Sequence, residues 1–246
     1  MYNLIQTLED FIVVYKEICN KGWILTHRSG PTGVGKTLED LLGIRENNLG
    51  IPDFGEYELK SCRFDSESML TIFTKTPQPR GAINTLRLKF GYSSDAYDND
   101  EKVLHATLSA DRYLFISNTG YSLKVSCGQN KISIIAEDGK EYAYWTSDQL
   151  QKAFEQKYKN KLVYAKAYSR GNGSNEAFKF VEAYEVSGFS YGLFVELLAQ
   201  GKICVDLRIG QYHDSEKLGQ THDHGTGFRI KEKDQPLLFR FCRKIV

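Results

Sequence analysis

The sequence is short of several features that would place it in a large protein class. Its five cysteines (Cys19, Cys62, Cys127, Cys204 and Cys242) contain no CxxC pair, and an odd number scattered along the chain makes no disulfide framework. They are expected to be reduced and mostly buried. No apolar run approaches the roughly 20 residues needed to cross a bilayer. Internal repeats, low-complexity tracts and long Pro/Gly/Ser linkers are lacking too, which excludes solenoids and arrays and favours one cooperative unit. Nor is there a surplus of either charge, because 32 Lys and Arg against 31 Asp and Glu leave +1. Binding to nucleic acid, which depends on neutralising phosphates, would therefore have to come from local patches rather than from the whole surface.

What is present is the composition of a globular protein: 246 residues, 41% hydrophobic and 26% charged. That length can bury a sizeable core in one compact unit, with room for two lobes. The opening segment MYNLIQTLEDFIVVYKEI carries acids and no small-residue cleavage site. It reads as an amphipathic helix rather than a signal peptide, and a cytoplasmic location without membrane association is expected. Charge is unevenly spread. From Ser68 to Ser94 there are Lys75, Arg80, Arg87 and Lys89 and no acid, and Arg229 to Lys244 is again mostly basic. Acids gather at Asp95 to Glu101. On charge alone the basic stretches are equally well solvated faces.

Apolar spacing predicts a helix over Leu4 to Ile18, ending near Lys21-Gly22, then an extended piece at Trp23 to Thr26. A second helix is expected from Thr37 to Leu42, with Thr37 as N-cap and Asp40 completing a capping box. Strands are expected at Pro52 to Phe54, Tyr57 to Cys62 and Met69 to Phe73. After Leu104 come short β-like runs (TGYSLKVSC, NKISIIAE, KEYAYWT) split by Gly, Asn and Asp, the pattern of a meander. The remainder alternates: helix at Asp148 to Tyr158, strands at Leu162 to Tyr168 and Phe178 to Val186, helix at Tyr191 to Leu198, strand at Ile203 to Ile209. This order indicates an α/β core carrying an antiparallel insertion.

Three motifs carry chemistry. Gly30-Pro-Thr-Gly-Val-Gly-Lys36-Thr37 fits the P-loop pattern GxxxxGK[ST]. A P-loop needs a buried parallel strand before it, a long helix after it and a second strand ending in an Asp that binds magnesium. Here the preceding strand is short and polar, the helix meets Gly43 after barely two turns, and the strand ending at Asp206 runs on through Leu-Arg-Ile. A nucleotide hydrolase is the lesser reading. The other is that the glycines let the backbone approach closely while Lys36 meets a DNA phosphate.

The second motif is Pro52-Asp53-Phe-Gly-Glu-Tyr-Glu58-Leu-Lys60, or PD-x4-ExK. Glu56, Glu58 and Lys60 stand at period two and would share one strand face, with Tyr57 and Leu59 on the other. Asp53 and Glu58 supply hard oxygen ligands suited to magnesium, waters and a scissile phosphate completing its shell. Lys60 would stabilise a hydroxide and the charge that builds on phosphorus. The carbonyl of Leu59 is a further candidate ligand, and Glu39 a third carboxylate. The bland alternative is a solvated hairpin with surface Glu–Lys pairs.

The third is Asp206-Leu-Arg208-Ile-Gly-Gln-Tyr212-His213 with Thr221-His222-Asp223-His224-Gly-Thr-Gly-Phe-Arg229. His222 and His224 with His213 or Cys204 could form a zinc site, although no CxxC or HExxH supports it. The polar, Gly-punctuated loop is better suited to reading base edges, Arg offering a fork to guanine and His and Asp addressing guanine and cytosine.

Taken in order, GWxxxxRxGxTGVGKTxEDLLGIxENN, PDFGEYELKS, LTIFTKTPxPRGA, KICVDLRIGQYH and THDHGTGFRI resemble the MvaI/BcnI family of restriction endonucleases, which is related to the mismatch-repair nicking enzyme MutH. The likeness spans nearly the whole chain and is weakest in the meander. It implies a PD-(D/E)xK (MutH-like) α/β core of a mixed sheet flanked by helices, with an antiparallel β insertion. The whole chain would be one endonuclease domain: a catalytic core at 1–90, completed by 148–209, and a DNA recognition lobe at 91–147 and 210–246, gripping opposite grooves.

The implied activity is that of a monomeric, magnesium-dependent type II deoxyribonuclease acting on double-stranded DNA, one strand at a time, beside a companion DNA methyltransferase. Position by position, Asp53, Glu58 and Lys60 match the catalytic triplet, Glu39 the acid of the preceding helix, and Lys36 the Gly-rich loop. Thr74, Lys75, Arg80, Arg208, Tyr212, His222, Asp223, His224 and Arg229 are the implied DNA contacts. IFTKTP, with Thr74 where the BcnI-like pattern has histidine, and THDHGT are similar to the MvaI branch and favour CCWGG (W is A or T) over CCSGG. A MutH-like nicking enzyme and, from other classes, a P-loop NTPase or a non-cleaving DNA-binding module are the alternatives.

Overall fold

The structure, a computed structural model, describes residues 5–44, 52–64, 69–94, 102–116, 119–158, 161–212, 216–217, 220–223 and 225–246. Contacts divide the chain into two units, one of Met1–Glu67, Tyr158–Phe189 and Phe239–Val246, the other of Ser68–Lys157 and Ser190–Leu238. These bounds differ from the expected lobes. Residues 190–209, expected to complete the catalytic core, fall in the second unit because the strand Ile203–Gln211 pairs there with Lys102–Leu108 and Gly227–Ile230.

The first unit is a five-stranded mixed sheet packed on two helices. Its strand order is Ile24–Leu25, Ala177–Ser187, Lys161–Arg170, Tyr57–Arg63, and Phe241–Lys244 also pairs with Ala177–Ser187. Tyr57–Arg63 runs parallel to Lys161–Arg170, and the other pairings are antiparallel. The first helix spans Leu8–Asn20 rather than starting at Leu4, because Thr7 caps it: its side chain accepts from the Asp10 amide at 3.1 Å while the Asp10 carboxylate accepts from the Thr7 amide at 2.9 Å. Leu8, Phe11, Tyr15 and Ile18 recur at helical spacing and are buried with Val163, Ala165, Phe178 and Phe180 of the sheet.

The second helix spans Gly33–Leu41, four residues earlier than expected. Thr37 is therefore not its N-cap. It is fully buried inside the helix, and its hydroxyl accepts from the His27 amide at 2.9 Å. Gly33 can enter the helix because a Cβ there would lie 2.4 Å from the Arg28 carbonyl oxygen, an approach that only glycine permits.

The second unit is antiparallel throughout its sheets. One has the order Leu70–Thr74, Gly227–Ile230, Ile203–Gln211, Lys102–Leu108, Tyr92–Ser93, with Thr221–Asp223 also on Ile203–Gln211. The other is the expected meander, Leu114–Ile116, Tyr121–Cys127, Lys131–Ala136 and Glu141–Thr146. Phe73, Trp145, Phe154, Phe194 and Phe228 form its aromatic centre, with Phe73 and Phe228 stacked at 4.9 Å.

The helix Ala82–Phe90 is absent from the sequence reading. Its alternation Leu86-Arg87-Leu88-Lys89-Phe90 hides the helical spacing of the buried Ile83, Leu86 and Phe90, and Leu88 stays half exposed. Among the described residues no helix is long and apolar enough to cross a membrane.

Candidate active site

The PD-x4-ExK segment folds as a tight turn feeding a strand. Pro52 to Phe54 is not a strand: Phe54 makes one bridge to Tyr57, and the Asp53 and Phe54 amides both donate to the Tyr57 carbonyl at 3.0 and 3.2 Å. Gly55 closes the turn with φ +50°, where a Cβ would sit 2.6 Å from the Gln6 carbonyl oxygen. The turn folds Asp53 back along the strand, and its Oδ2 accepts from the Leu59 amide at 2.7 Å. That bond fixes the carboxylate against the strand backbone at Leu59, the residue between Glu58 and Lys60.

Along Tyr57–Arg63, Tyr57 and Leu59 are buried in the core while Glu58 and Lys60 are half exposed on the opposite face. Lys60 Nζ lies 2.5 Å from Glu58 Oε1. Three of the expected residues are thus brought together by one turn and one strand. Glu56 is not their neighbour on that face; it lies in the turn, exposed, paired with Lys161 at 2.7 Å. Tyr158 marks the environment, since burial first and the Glu58 charge second raise its phenol above the usual tyrosine range.

The back of the strand is anchored. Tyr57 donates to the buried Glu185 at 2.8 Å, and Arg243 binds the other oxygen of Glu185 at 2.6 Å. Burial, then the Glu185 hydrogen bond and charge, raise the Tyr57 phenol as well.

The Gly-rich helix packs on this strand, where a Cβ at Gly35 would come within 3.6 Å of Ser61 Oγ. It does not make a P-loop. The preceding strand is the two-residue Ile24–Leu25, antiparallel at a sheet edge, and Thr37, whose hydroxyl would have to reach magnesium, is buried. Lys36 pairs with Asp40 at 2.8 Å, and His27 Nδ1 lies 3.0 Å from the same carboxylate. Burial opposes ionisation of Asp40, but the Lys36 and His27 hydrogen bonds and charges outweigh it and hold its carboxyl below the usual aspartate range. Glu39 is half-buried on this helix. Among the described residues no three His, Cys, Asp or Glu side chains are grouped closely enough to hold a metal, so Glu39 is not gathered with Asp53 and Glu58 into such a cluster.

One connection escaped the sequence reading. Arg63 grips Glu176 with two nitrogens, at 2.6 and 2.8 Å, donates to the carbonyls of Pro31 and Gly30 at 3.0 and 3.1 Å, and lies over the Phe178 ring. It thereby holds the Gly-rich loop to the strand that carries Glu58 and Lys60. The partners are 113 residues apart, and nothing local in the sequence announces them.

The expected recognition residues lie in the second unit. Arg208, Arg229, Asp206, His105 and Thr107 line an open cleft of about 480 Å³. Buried Asp206 organises it: Oδ1 accepts from the Thr107 hydroxyl at 2.8 Å, and Oδ2 meets Arg229 at 2.7 Å and Arg208 at 3.5 Å. Arg229 also donates to the Met69 carbonyl at 2.5 Å, and Arg208 to the Gly225 carbonyl at 3.2 Å. His105 and Thr107 were not among the expected residues. Their signal was the alternation in His105-Ala-Thr107-Leu, exposed then buried.

Tyr212 and His222 stack at 4.2 Å. Asp223 accepts from the Gly225 amide at 2.9 Å and the Thr226 hydroxyl at 3.4 Å, holding the following turn. Thr74 is exposed and faces Gly227 in register, with its methyl beside Gly225. Lys75 is tied through its backbone to Thr226 and to the Trp145 ring nitrogen, and Arg80 is exposed. His213 and His224 lie outside the described residues. Cys204 pairs with Arg229 and His222 with Gly210 along one strand, six positions apart, so Cys204 does not join His222 in a zinc site.

The sequence profile of the MvaI/BcnI restriction endonuclease family matches residues 12–239. The solved structure of restriction endonuclease MvaI in complex with cognate DNA is 31% identical, with a TM-score of 0.80 over 97% of this chain and 98% of that one. MvaI in the absence of DNA is 30% identical, with a TM-score of 0.63 over the whole of both chains. No curated protein matches the chain.

Proposed function

Because the chain belongs to the MvaI/BcnI restriction endonuclease family, and so is a DNA-cleaving enzyme, we propose that it is a magnesium-dependent type II deoxyribonuclease of the PD-(D/E)xK, MutH-like kind. The observation that supports the chemistry is the hydrogen bond from the Leu59 amide to Asp53, which holds that carboxylate on the strand between the residues Glu58 and Lys60, themselves paired. The donor set fits the metal. Asp53 and Glu58 offer hard carboxylate oxygens, and magnesium is ordinarily held by one or two carboxylates together with waters and phosphate oxygens. Bound there, the ion would supply a Lewis acid at the phosphate and a more acidic bound water.

The chain's own groups do the remaining work. Asp53 is preorganised by its turn, so no side-chain ordering is left for the moment of binding. Lys60 places an ammonium at the carboxylates, where it can stabilise hydroxide and the negative charge growing on the phosphoryl oxygens. From the Gly-rich helix, Lys36 would add a phosphate contact. The substrate would be double-stranded DNA, a reading supported by the likeness to the MvaI complex with its cognate DNA substrate.

The bases would be read by Arg208, Tyr212, His222, Asp223, His224 and Arg229, with Thr74 near the Gly225 turn, while Lys75 and Arg80 meet the backbone. The proposed site is CCWGG, cut one strand at a time by a cytoplasmic monomer, with a methyltransferase of the same specificity protecting the host. Unmethylated plasmid incubated with the protein and magnesium should yield discrete fragments ending inside CCWGG, and Asp53→Ala should abolish them. Absence of fragments, or undiminished cutting by the variant, defeats the chemistry; ends confined to another sequence defeat only the site. Nicks that never become double-strand breaks without added proteins would mark a MutH-like enzyme instead.

A further inference from the structure

A second cleft in the Ser68–Lys157 unit lies outside everything assigned above. It has a volume of about 530 Å³ and is lined by Lys89, Gly91, Tyr92, Ser93, Lys102, Thr119 and Tyr121. Its walls contain two ammonium groups and four hydroxyls and, among the described residues, no carboxylate. Neither lysine pairs with a carboxylate among the described residues, although ion pairs are common elsewhere on the surface.

Both are nonetheless fixed. Lys89 donates to the Tyr142 hydroxyl and lies 4.5 Å from the centre of the Tyr142 ring, 5.5 Å from that of Phe90 and 5.6 Å from that of Tyr121. Electron-rich ring faces hold a cation without neutralising it. The Tyr142 hydrogen bond, ahead of the opposing effect of desolvation, raises Lys89 above the ordinary lysine range.

Lys102 sits opposite Ser93 in the strand pair, and its ammonium donates to the Leu88 carbonyl at 3.0 Å. Leu88 is in the last turn of the helix Ala82–Phe90, so Lys102 covers carbonyl charge that would otherwise repel an anion. An ammonium has three N–H bonds, and each lysine spends one on the contact described, leaving two to donate. The basic run from Ser68 to Ser94, ambiguous as sequence, thus contributes one of the two cations in an open cleft with ample room for a phosphate group.

We propose that this cleft binds a backbone phosphodiester of the DNA substrate, through Lys89 and Lys102 with Ser93 as a hydroxyl donor. It would act as a sequence-independent anchor apart from the residues that read bases. The inference rests on the proposed DNA substrate. It is tested by binding in EDTA, without cleavage, of labelled duplexes with and without CCWGG to the full chain and to Lys89→Met, Lys102→Met and the conservative Lys102→Arg.

Each methionine variant should weaken both duplexes alike, by about eightfold at 0.1 M salt, and flatten the log-affinity against log-salt slope by about 0.9, the effect of one lost phosphate contact. Lys102→Arg should keep the slope, which separates the loss of charge at position 102 from misfolding and keeps the proposal testable should the Lys89 variant fail to fold. Unchanged slopes in both methionine variants overturn the anchor. So does a cleft that serves free anions: inorganic phosphate would then stabilise wild type but not Lys102→Met against thermal unfolding while DNA slopes stay equal. Wild type that binds neither duplex and also leaves plasmid uncut with magnesium would instead defeat the proposed function itself.

Discussion

Asp53 and Leu59 are joined across the turn by a 2.7 Å hydrogen bond from a strand amide to a carboxylate oxygen. The spacing of PD-x4-ExK follows from it. Four residues between Asp and Glu are what a glycine-closed turn needs to bring the first carboxylate back beside the second. The bond also separates two roles of Asp53. Asp53→Asn keeps an oxygen that accepts from Leu59 and loses the charge; Asp53→Ala loses both. Cleavage by Asp53→Asn should fall by at least about 10²-fold, the scale of losing one preorganised electrostatic contact, with little change in the urea midpoint. Asp53→Ala should lose activity and some stability. Wild-type cleavage rates in Asp53→Asn would remove Asp53 from the chemistry.

Arg63 and Glu176 supply a second prediction. Glu176 is buried and Arg63 mostly so, and removing the acid strands a guanidinium that also holds Gly30 and Pro31. Glu176→Ala should destabilise the protein by about 2–3 kcal/mol, below the full cost of breaking a buried pair because water still reaches Arg63. Limited proteolysis should then cut more readily near the Gly-rich loop. A loss under about 0.5 kcal/mol in urea unfolding, with unchanged proteolysis, would show that the loop is held by other means.

What could be read from sequence divides along physical lines. Elements whose signal is local and periodic, such as the Leu8–Asn20 helix and the Tyr57–Arg63 strand, were legible, because burial of one face writes itself at fixed spacing. The same-face placement of Glu58 and Lys60 followed for that reason. Legibility failed where long-range packing decides. Position 33 must be glycine because the Arg28 carbonyl leaves no room for a Cβ, and the helix that begins there makes Thr37 a buried helix residue instead of a cap. Arg63–Glu176 and Tyr57–Glu185 join segments more than 100 residues apart, and no window contains both partners. The P-loop pattern matched letter for letter, yet the strand topology around it denies the chemistry.

A third prediction separates base reading from backbone contact within the expected recognition set. Arg208 and His222 should govern sequence choice, whereas Lys75 and Arg80 should govern salt dependence. Alanine at either of the first pair should cost about 1–3 kcal/mol of discrimination between CCWGG and a single-base variant. Alanine at Lys75 or Arg80 should instead reduce the salt slope by about 0.9 with the preference intact. Equal slopes and equal preferences across the four variants would contradict the division.

The fourth prediction concerns pH and Asp40. Its carboxyl titrates below the ordinary aspartate range in the folded protein because Lys36 and His27 hold the charged form against the opposing effect of burial. The unfolded state therefore binds the proton more tightly than the folded state. The stability this confers is complete above the unfolded aspartate value, about pH 4, and is lost as pH falls through the lower folded value. Asp40→Asn removes it. Since the cluster is partly solvated, the gap between wild type and variant at pH 6 should be only about 0.5 kcal/mol, and it should close toward pH 2. Urea unfolding of both proteins across that range measures it. A gap that stays constant with pH would show that Asp40 stabilises the helix through its shape and hydrogen bonds, with its charge contributing nothing.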